Sequence, residues 1–222
     1  MRTRGLFAPV ALCAGLTLSM PAAAVDIALG GRAATMGFGG DVTMRMTSWL
    51  NVRASANAFN YTYSDTYGDV SYDAELNLQS AGMLLDFHPF RGNFRLSVGT
   101  YANGNGVDFS GQPTQNVNIG GQNFTPAEVG TIAGTVEFRK YAPYLGLGWG
   151  NAVGAHNRLG FSLEIGVLFQ GSPDVEMSSQ GGTFSDDPTL ISEIENEERS
   201  IENDLSSFEY YPVVGMGMSY AF

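Results

Sequence analysis

Apolar and polar residues alternate along most of this chain with a period of two, the pattern of a β-strand whose two faces meet different surroundings. In residues 161–169, FSLEIGVLF, Phe161, Leu163 and Ile165 share one side, and the opposite side begins with Ser162 and Glu164. The same division recurs in FRLSVGTYA and LNVRASANAF. We predict eight strands, at residues 25–33, 37–47, 50–63, 74–88, 93–109, 131–149, 158–176 and 209–222.

The connections between these segments alternate in length. They are short near residue 48, at 89–93 and at 151–157, and long at 64–73, 110–130 and 177–208, while the connection near residues 34–36 must be tight. Most segments reach the ~9–11 residues that a tilted strand needs to cross a bilayer. Short turns at one end and long loops at the other are typical of outer-membrane barrels, with the short turns periplasmic. The sequence therefore predicts an all-β fold, an eight-stranded antiparallel transmembrane β-barrel of the bacterial outer membrane.

Aromatic residues near the predicted strand ends favour the membrane form over a soluble β-sandwich or lipocalin-like barrel, which would turn its apolar face inward. They are expected at the two membrane interfaces and include Trp49, Phe87, Phe90, Trp149, Tyr220 and Phe222. The last residues, GMGMSYAF, resemble the carboxy-terminal signal by which outer-membrane barrels are recognised for assembly, with Gly217, Tyr220 and Phe222 at the matching positions. We expect outer-membrane lipid and the barrel-assembly machinery as partners.

The first 24 residues, MRTRGLFAPVALCAGLTLSMPAAA, predict a secretory signal cleaved after Ala24, which leaves residues 25–222 as the barrel. A lipoprotein signal around Cys13 is the alternative. Removal of residues 1–24 leaves 9 basic and 22 acidic residues, a formal charge of −13. This charge argues against nucleic-acid binding, which requires basic residues to neutralise phosphates. We expect the protein to cross the inner membrane and to reside in the outer membrane.

The alternation also predicts which charged side chains face the interior of the barrel. Four basic and four acidic residues do so: Arg32, Arg45, Arg53, Arg95, Asp26, Asp41, Asp86 and Glu164. The interior of an eight-stranded barrel is just wide enough for side chains to fill it, and unpaired buried charges are costly, so pairing is expected. Two interpretations stay open: a structural core of ion pairs, and a polar pathway whose pairs exchange partners.

One segment has helical rather than strand periodicity. Residues 186–208 repeat apolar side chains at a helical spacing, and Asp187 followed by Pro188 provides a helix start. Its acidic residues include Glu193, Glu195, Glu197, Glu198, Glu202 and Asp204. We predict a short helix in the last extracellular loop, either solvated or acting as an acidic lid over the barrel mouth.

Signals for an enzyme are weak. His88 and His156 lie near predicted periplasmic turns without the spacing of metal ligands, and Ser162 beside Glu164 is one face of an alternating strand. A phosphate-binding loop would require a lysine and a following helix. We therefore expect no enzymatic activity, no cofactor and no metal.

Three stretches carry a resemblance to a known family: APYLGLGWG (142–150), FQGSPDVEMSSQG (169–181) and YYPVVGMGMSYAF (210–222). The chain is similar to the CarO-type outer-membrane proteins, the carbapenem-associated, ornithine-uptake porin family. The resemblance implies an eight-stranded barrel and slow passage of small molecules, with basic amino acids as proposed substrates. Pro143, Tyr144, Gly171 and Pro173 match the family pattern as structural positions, whereas the strongly acidic last loop departs from it.

The leading functional hypothesis is a narrow porin-like channel for small solutes, favouring cations such as basic amino acids, because carboxylates near a mouth raise the local concentration of cations. The alternative is a non-conducting structural or interaction protein of the outer membrane. A soluble periplasmic binding barrel is the third hypothesis.

Overall fold

The computed structural model describes residues 26–67, 70–153 and 158–222, with the side chains of residues 65–67 and 70–72 left out. The predicted signal peptide and Cys13 lie outside this range. Two α-helices, α1 (Pro126–Val129) and α2 (Pro188–Asp204), and one 3-10 helix (Ser206–Glu209) accompany the strands. The strands are β1 (Ile27–Ala34), β2 (Gly37–Arg45), β3 (Leu50–Tyr67), β4 (Val70–Phe87), β5 (Phe94–Asn103), β6 (Gly106–Gln112), β7 (Val117–Ile119), β8 (Gln122–Phe124), β9 (Gly130–Glu137), β10 (Tyr141–Trp149), β11 (Leu159–Phe169), β12 (Asp174–Gly181) and β13 (Tyr210–Ala221).

Eight of these strands close into an antiparallel barrel. The ring runs β1, β2, β3, β4, β5, β10, β11, β13 and returns to β1, and each neighbouring pair is antiparallel. The tight first hairpin is present, with two residues between Ala34 and Gly37. The predicted eight-stranded barrel is therefore confirmed.

The outer surface of the barrel is apolar because the alternating apolar residues point away from the lumen. On β11, Phe161 and Ile165 are 57% and 60% exposed, which in water would be unfavourable and in a bilayer is the expected arrangement. Exposed aromatic residues mark both ends of this belt. The periplasmic end has Trp49, Phe90, Trp149 and Phe222, and the outer end has Phe38, Tyr141 and Tyr210.

Three of the eight predicted segments are not single strands, and this part of the prediction is wrong. The segments 93–109, 131–149 and 158–176 each divide into a barrel strand and a second strand, with breaks at 104–105, 138–140 and 170–173. The second strands, β6, β9 and β12, pair side by side and continue from the upper part of β4, forming a sheet above the barrel that we call the extension. The prediction of a long loop at 64–73 is also wrong, because β3 and β4 remain paired up to Tyr67 and Val70.

The faces of β4 exchange polarity where the extension begins. Within the barrel, Met83 and Leu85 point outward to the apolar belt, while Leu84 and Asp86 point inward. Above it the outward positions are Gln79, Asn77 and Glu75, and the inward ones are Leu78 and Leu76. The phase of the strand is unchanged, so the inversion marks the level at which the outward face leaves lipid for water.

A small second core covers the inward face of the extension. It contains Ile119, Phe124, Val129, Leu190 and Ile194, packed with Val117, Ile132 and Met177. The β7–β8 hairpin, α1 and α2 supply most of these residues, and we call these three elements the cap. Asp187 caps α2 by accepting a hydrogen bond from the Thr189 amide at 2.8 Å, and Pro188 is the first helical residue, so the predicted helix is confirmed. Within the described part of the chain, no helix combines the length and apolar character needed to cross a membrane.

Candidate functional site: the barrel lumen

A compact network of buried charges occupies the lumen around Glu164 of β11. The Glu164 carboxylate lies 2.6 Å from Arg95 Nη2, 2.8 Å from Arg53 Nη2 and 3.4 Å from Arg32 Nη2. It also accepts a hydrogen bond of 2.7 Å from the hydroxyl of Tyr144. These partners come from β1, β3, β5 and β10, so one carboxylate joins strands from across the barrel.

Two further carboxylates balance the three arginines. Arg53 donates two hydrogen bonds to Asp86, from Nε at 2.8 Å and Nη2 at 3.1 Å, the bidentate geometry that is among the stronger protein ion pairs. The Ser97 hydroxyl also donates to Asp86, at 2.6 Å. Asp41 lies 3.5 Å from Arg32 Nη1. The buried network therefore has three positive and three negative groups and no net charge.

The structure brings six of the eight predicted lumen residues into this network. The other two, Asp26 and Arg45, form an ion pair with each other at the periplasmic end of the barrel. Their side chains are 41% and 28% exposed, so their predicted place in the lumen interior is corrected to its rim. Both have the inward parity that alternation predicts, but they lie at the ends of β1 and β2, where the lumen meets solvent.

Glycines on the lumen wall make room for the large side chains. A Cβ atom at Gly146 or Gly166 would collide with the Tyr144 hydroxyl, one at Gly82 would collide with the Tyr101 ring, and one at Gly148 would lie 2.6 Å from Arg95 Nε. The alternation of large residues with glycine on the inward face therefore has a steric cause. Each large side chain lies flat over a neighbouring position that has no side chain.

An apolar layer closes the lumen on the outer side of the charges, and we call it the plug. Its members are almost completely buried: Met36, Leu84, Tyr101, Ala142, Tyr144, Leu168 and Val213. The rings of Tyr101 and Tyr144 meet edge to face, with centroids 5.6 Å apart. Tyr144 belongs to both layers because its ring packs in the plug and its hydroxyl bonds to Glu164. Sequence reasoning missed the plug, although Tyr101 and Tyr144 occupy inward positions of alternating strands.

On the periplasmic side of the charges, a cavity of about 20 Å³ remains, lined by Asp41, Thr43, Asn51, His88 and Arg95, among others. This volume holds about one water molecule. His88 Nδ1 lies 3.0 Å from the Gly92 carbonyl and Nε2 lies 3.1 Å from Asn51 Nδ2. The tautomer with its proton on Nδ1 satisfies both contacts, because the carbonyl only accepts and the amide group donates. Burial lowers the pKa of His88. In this conformation the described lumen is filled by side chains.

Four of the six predicted acidic loop residues hold α2 in place. Glu198 and Glu202 accept hydrogen bonds from the Met177 and Val175 amides of β12, at 2.6 and 3.3 Å. Glu197 accepts from the Gly120 amide, and Glu193 accepts from the Gln122 side chain of the β7–β8 hairpin. Glu195 and Asp204 are exposed. α2 therefore lies against the extension and the hairpin.

The predicted assembly residues lie on β13, which joins β11 to β1 and closes the ring. The Phe222 amide donates to the Ile27 carbonyl at 2.9 Å, and the rings of Tyr220 and Phe222 contact edge to face. A Cβ at Gly217 would lie 3.0 Å from the Gly31 carbonyl oxygen. Their role in assembly stays a prediction.

Of the two histidines, His156 lies outside the described residues. Among the residues that the structure describes, no group of three or more histidine, cysteine, aspartate or glutamate side chains could hold a metal ion.

A closed eight-stranded ring, an apolar outward belt with aromatic ends and a charged interior define the class: the protein is an outer-membrane β-barrel.

Comparison with solved structures identifies the particular fold. The crystal structure of Acinetobacter baumannii CarO2 matches with a TM-score of 0.58 and 21% identity, covering 89% of this chain and 99% of that one. The crystal structure of Acinetobacter baumannii CarO matches with a TM-score of 0.56 and 19% identity, covering 88% and 97%. The chain has the CarO-type fold, so the resemblance seen in the sequence is confirmed at the level of the fold. No family model and no curated protein matches the chain.

Proposed function

We propose that this barrel is a narrow pore for small solutes that opens and closes, and that the structure describes its closed state. The observation that carries the proposal is that side chains, rather than an inserted segment of backbone, close the lumen. The described lumen is filled by side chains of the barrel's own strands and first hairpin, and the two large rings lie over glycines. Packed side chains can change rotamer without unfolding of the backbone, so a passage can form while the β-ladders remain intact.

We further propose that the pore favours cations, because carboxylates are exposed on the cap and on the outward face of the extension, at the outer end of the barrel. Glu195 and Asp204 are exposed on the cap. A hollow of about 510 Å³ on the extension is lined in part by Asp73, Glu75, Asp108 and Glu176. Negative charge near an opening raises the local concentration of cations, an effect that salt screens. Basic amino acids are one class of solute that this charge would favour.

The test is solute uptake into liposomes that contain the purified protein. Influx of arginine and ornithine is compared with influx of glycine and glutamate, at low and at high salt. The expected result is faster influx of the two cations at low salt, with the advantage lost at high salt. Equal influx of all four solutes would retain the pore and remove the cation preference.

A second candidate is a non-conducting structural or interaction protein of the outer membrane. The observation that favours it is the neutrality of the lumen network, in which Glu164 and Asp86 each contact more than one arginine. No influx of any solute, from protein shown to be folded, would favour this candidate and contradict the pore. We propose no catalytic activity for either candidate.

A further inference from the structure

We infer that Tyr144 is the gate of the lumen and that Glu164 is the latch that holds it closed. This inference rests on the proposed pore function and names how that pore would be regulated. Three observations carry it. Tyr144 lies between the plug and the charge network, its hydroxyl lies over Gly146 and Gly166, and that hydroxyl forms a hydrogen bond to Glu164.

Tyr144 fills the lumen where the two layers meet. Its side chain is 1% exposed and packs with Tyr101, Leu84 and Leu168 in the plug. Its hydroxyl oxygen is the atom that a Cβ at either Gly146 or Gly166 would strike. The phenol therefore lies across two adjacent strands, β10 and β11, over a surface that has no side chains of its own.

One hydrogen bond ties this ring to the charges. The Tyr144 hydroxyl donates to Glu164 Oε1 at 2.7 Å, a charge-assisted bond in a buried setting. Glu164 is itself fixed by its three arginine partners, so it is a rigid acceptor. The rest of the plug is apolar apart from Tyr101, whose buried hydroxyl lies near the Ser55 hydroxyl and makes no hydrogen bond to a carboxylate among the described residues. Tyr144 is thus the member of the plug that the charge network holds by a hydrogen bond.

Opening of the plug then requires the loss of one hydrogen bond and rotation of one ring. Rotation of Tyr144 off Gly146 and Gly166 uncovers two glycine positions on adjacent strands and separates the two rings. The arginine–carboxylate network fills the lumen behind the ring, so passage of a solute also requires its ion pairs to exchange partners. Tyr144 therefore gates the plug, the outer of these two layers.

Two substitutions test the gate in the full protein, reconstituted into planar bilayers for conductance recordings. Tyr144→Phe keeps the ring in the plug and removes only the hydroxyl. We expect the fraction of time spent open to rise on the order of tenfold, the effect of losing one hydrogen bond to a charged group. Tyr144→Ala removes the ring, and we expect openings that no longer close fully.

The matched control is Tyr141→Phe, on the same strand but 64% exposed on the lipid-facing side. We expect it to conduct as the parent protein does. Folding of each variant is checked by the heat-dependent mobility of the barrel on gels. Gly146→Ala gives an independent check, because the added Cβ displaces the Tyr144 hydroxyl and should also favour opening.

The outcomes separate the gate from the proposed function. If the parent protein opens, and both Tyr144→Phe and Tyr144→Ala open only as often as the parent does, the gate is wrong and the pore stands. If the parent protein is silent and Tyr144→Ala conducts, Tyr144 is the closing side chain and the proposed function of the parent is wrong. If the parent and every folded variant are silent, the gate is overturned with the pore.

Discussion

At the scale of single residues, Glu164 is the side chain on which the interior depends. It contacts arginines on three different strands and the hydroxyl of Tyr144. A buried ion pair adds little relative to an apolar core, but removal of one partner leaves an uncompensated charge that is costly. The lumen of this barrel is therefore tolerant of few single changes at its centre.

Glu164→Gln keeps the size of the side chain and removes its charge, leaving three arginines with two carboxylates. We expect the free energy of unfolding to fall by about 3–5 kcal/mol, the usual effect of breaking a buried pair. It is measured from urea unfolding of the protein in vesicles. Glu137→Gln removes the same charge at an exposed position of β9, and surface changes of this kind stay within about 0.5 kcal/mol. Equal effects of the two substitutions would contradict the role given to Glu164.

Alternation could predict which charges face the lumen, because parity along a strand fixes the side. Parity does not predict how far along the barrel axis each one lies, so the predicted interior position of Asp26 and Arg45 is wrong, and both side chains meet solvent at the rim. The plug was missed for a different reason. Parity places Tyr144 inward and Tyr141 outward, but only tertiary packing shows that the inward aromatic residues meet in one layer that closes the lumen.

At the scale of elements, β12 is the edge strand of the extension, and α2 covers its open side. An uncovered edge offers unpaired backbone groups to other strands. Here Glu198 and Glu202 accept from the amides of Met177 and Val175. Residues four apart on a helix are about 6 Å apart along its axis, and residues two apart on a strand are about 6.6 Å apart. The two carboxylates therefore match two successive edge amides.

We expect the Glu198→Ala, Glu202→Ala double variant to expose this edge. Hydrogen exchange at the Val175 and Met177 amides, followed by nuclear magnetic resonance in detergent micelles, should accelerate by at least about tenfold, since each amide loses a charged acceptor. Glu195→Ala is the matched control, because it removes an exposed carboxylate of the same helix. Unchanged exchange in the double variant would show that α2 does not protect the edge through these carboxylates.

Period-two alternation predicts the strands of the barrel. It does not predict the breaks at 104–105 and 138–140, which separate barrel strands from extension strands. The alternation keeps its phase across both breaks, so counting inward and outward positions gives no warning. What changes is the polarity of each face: Val107 and Val136 point inward above the barrel, whereas Val98 and Leu145 point outward within it. This inversion is a signal in the sequence for the end of the lipid-facing region.

At the scale of the whole molecule, charge is distributed in three zones. The lipid belt is apolar, the lumen network is neutral, and the excess of acidic residues includes those on the extension and cap outside the membrane. Only the outer zone can attract solutes over a distance, because a neutral network has no long-range field and salt screens beyond about 10 Å at 0.1 M. Cation preference is therefore expected to come from the outer surface and closure from the lumen.

The most direct test of this account is the reversal potential of the parent protein in a planar bilayer, with a gradient of potassium chloride across the membrane. Discrete openings with a reversal potential on the cation-selective side at low salt are the expected result, and the selectivity should weaken as the salt concentration rises. A folded barrel that never conducts, or one that conducts with anion selectivity, would contradict the account.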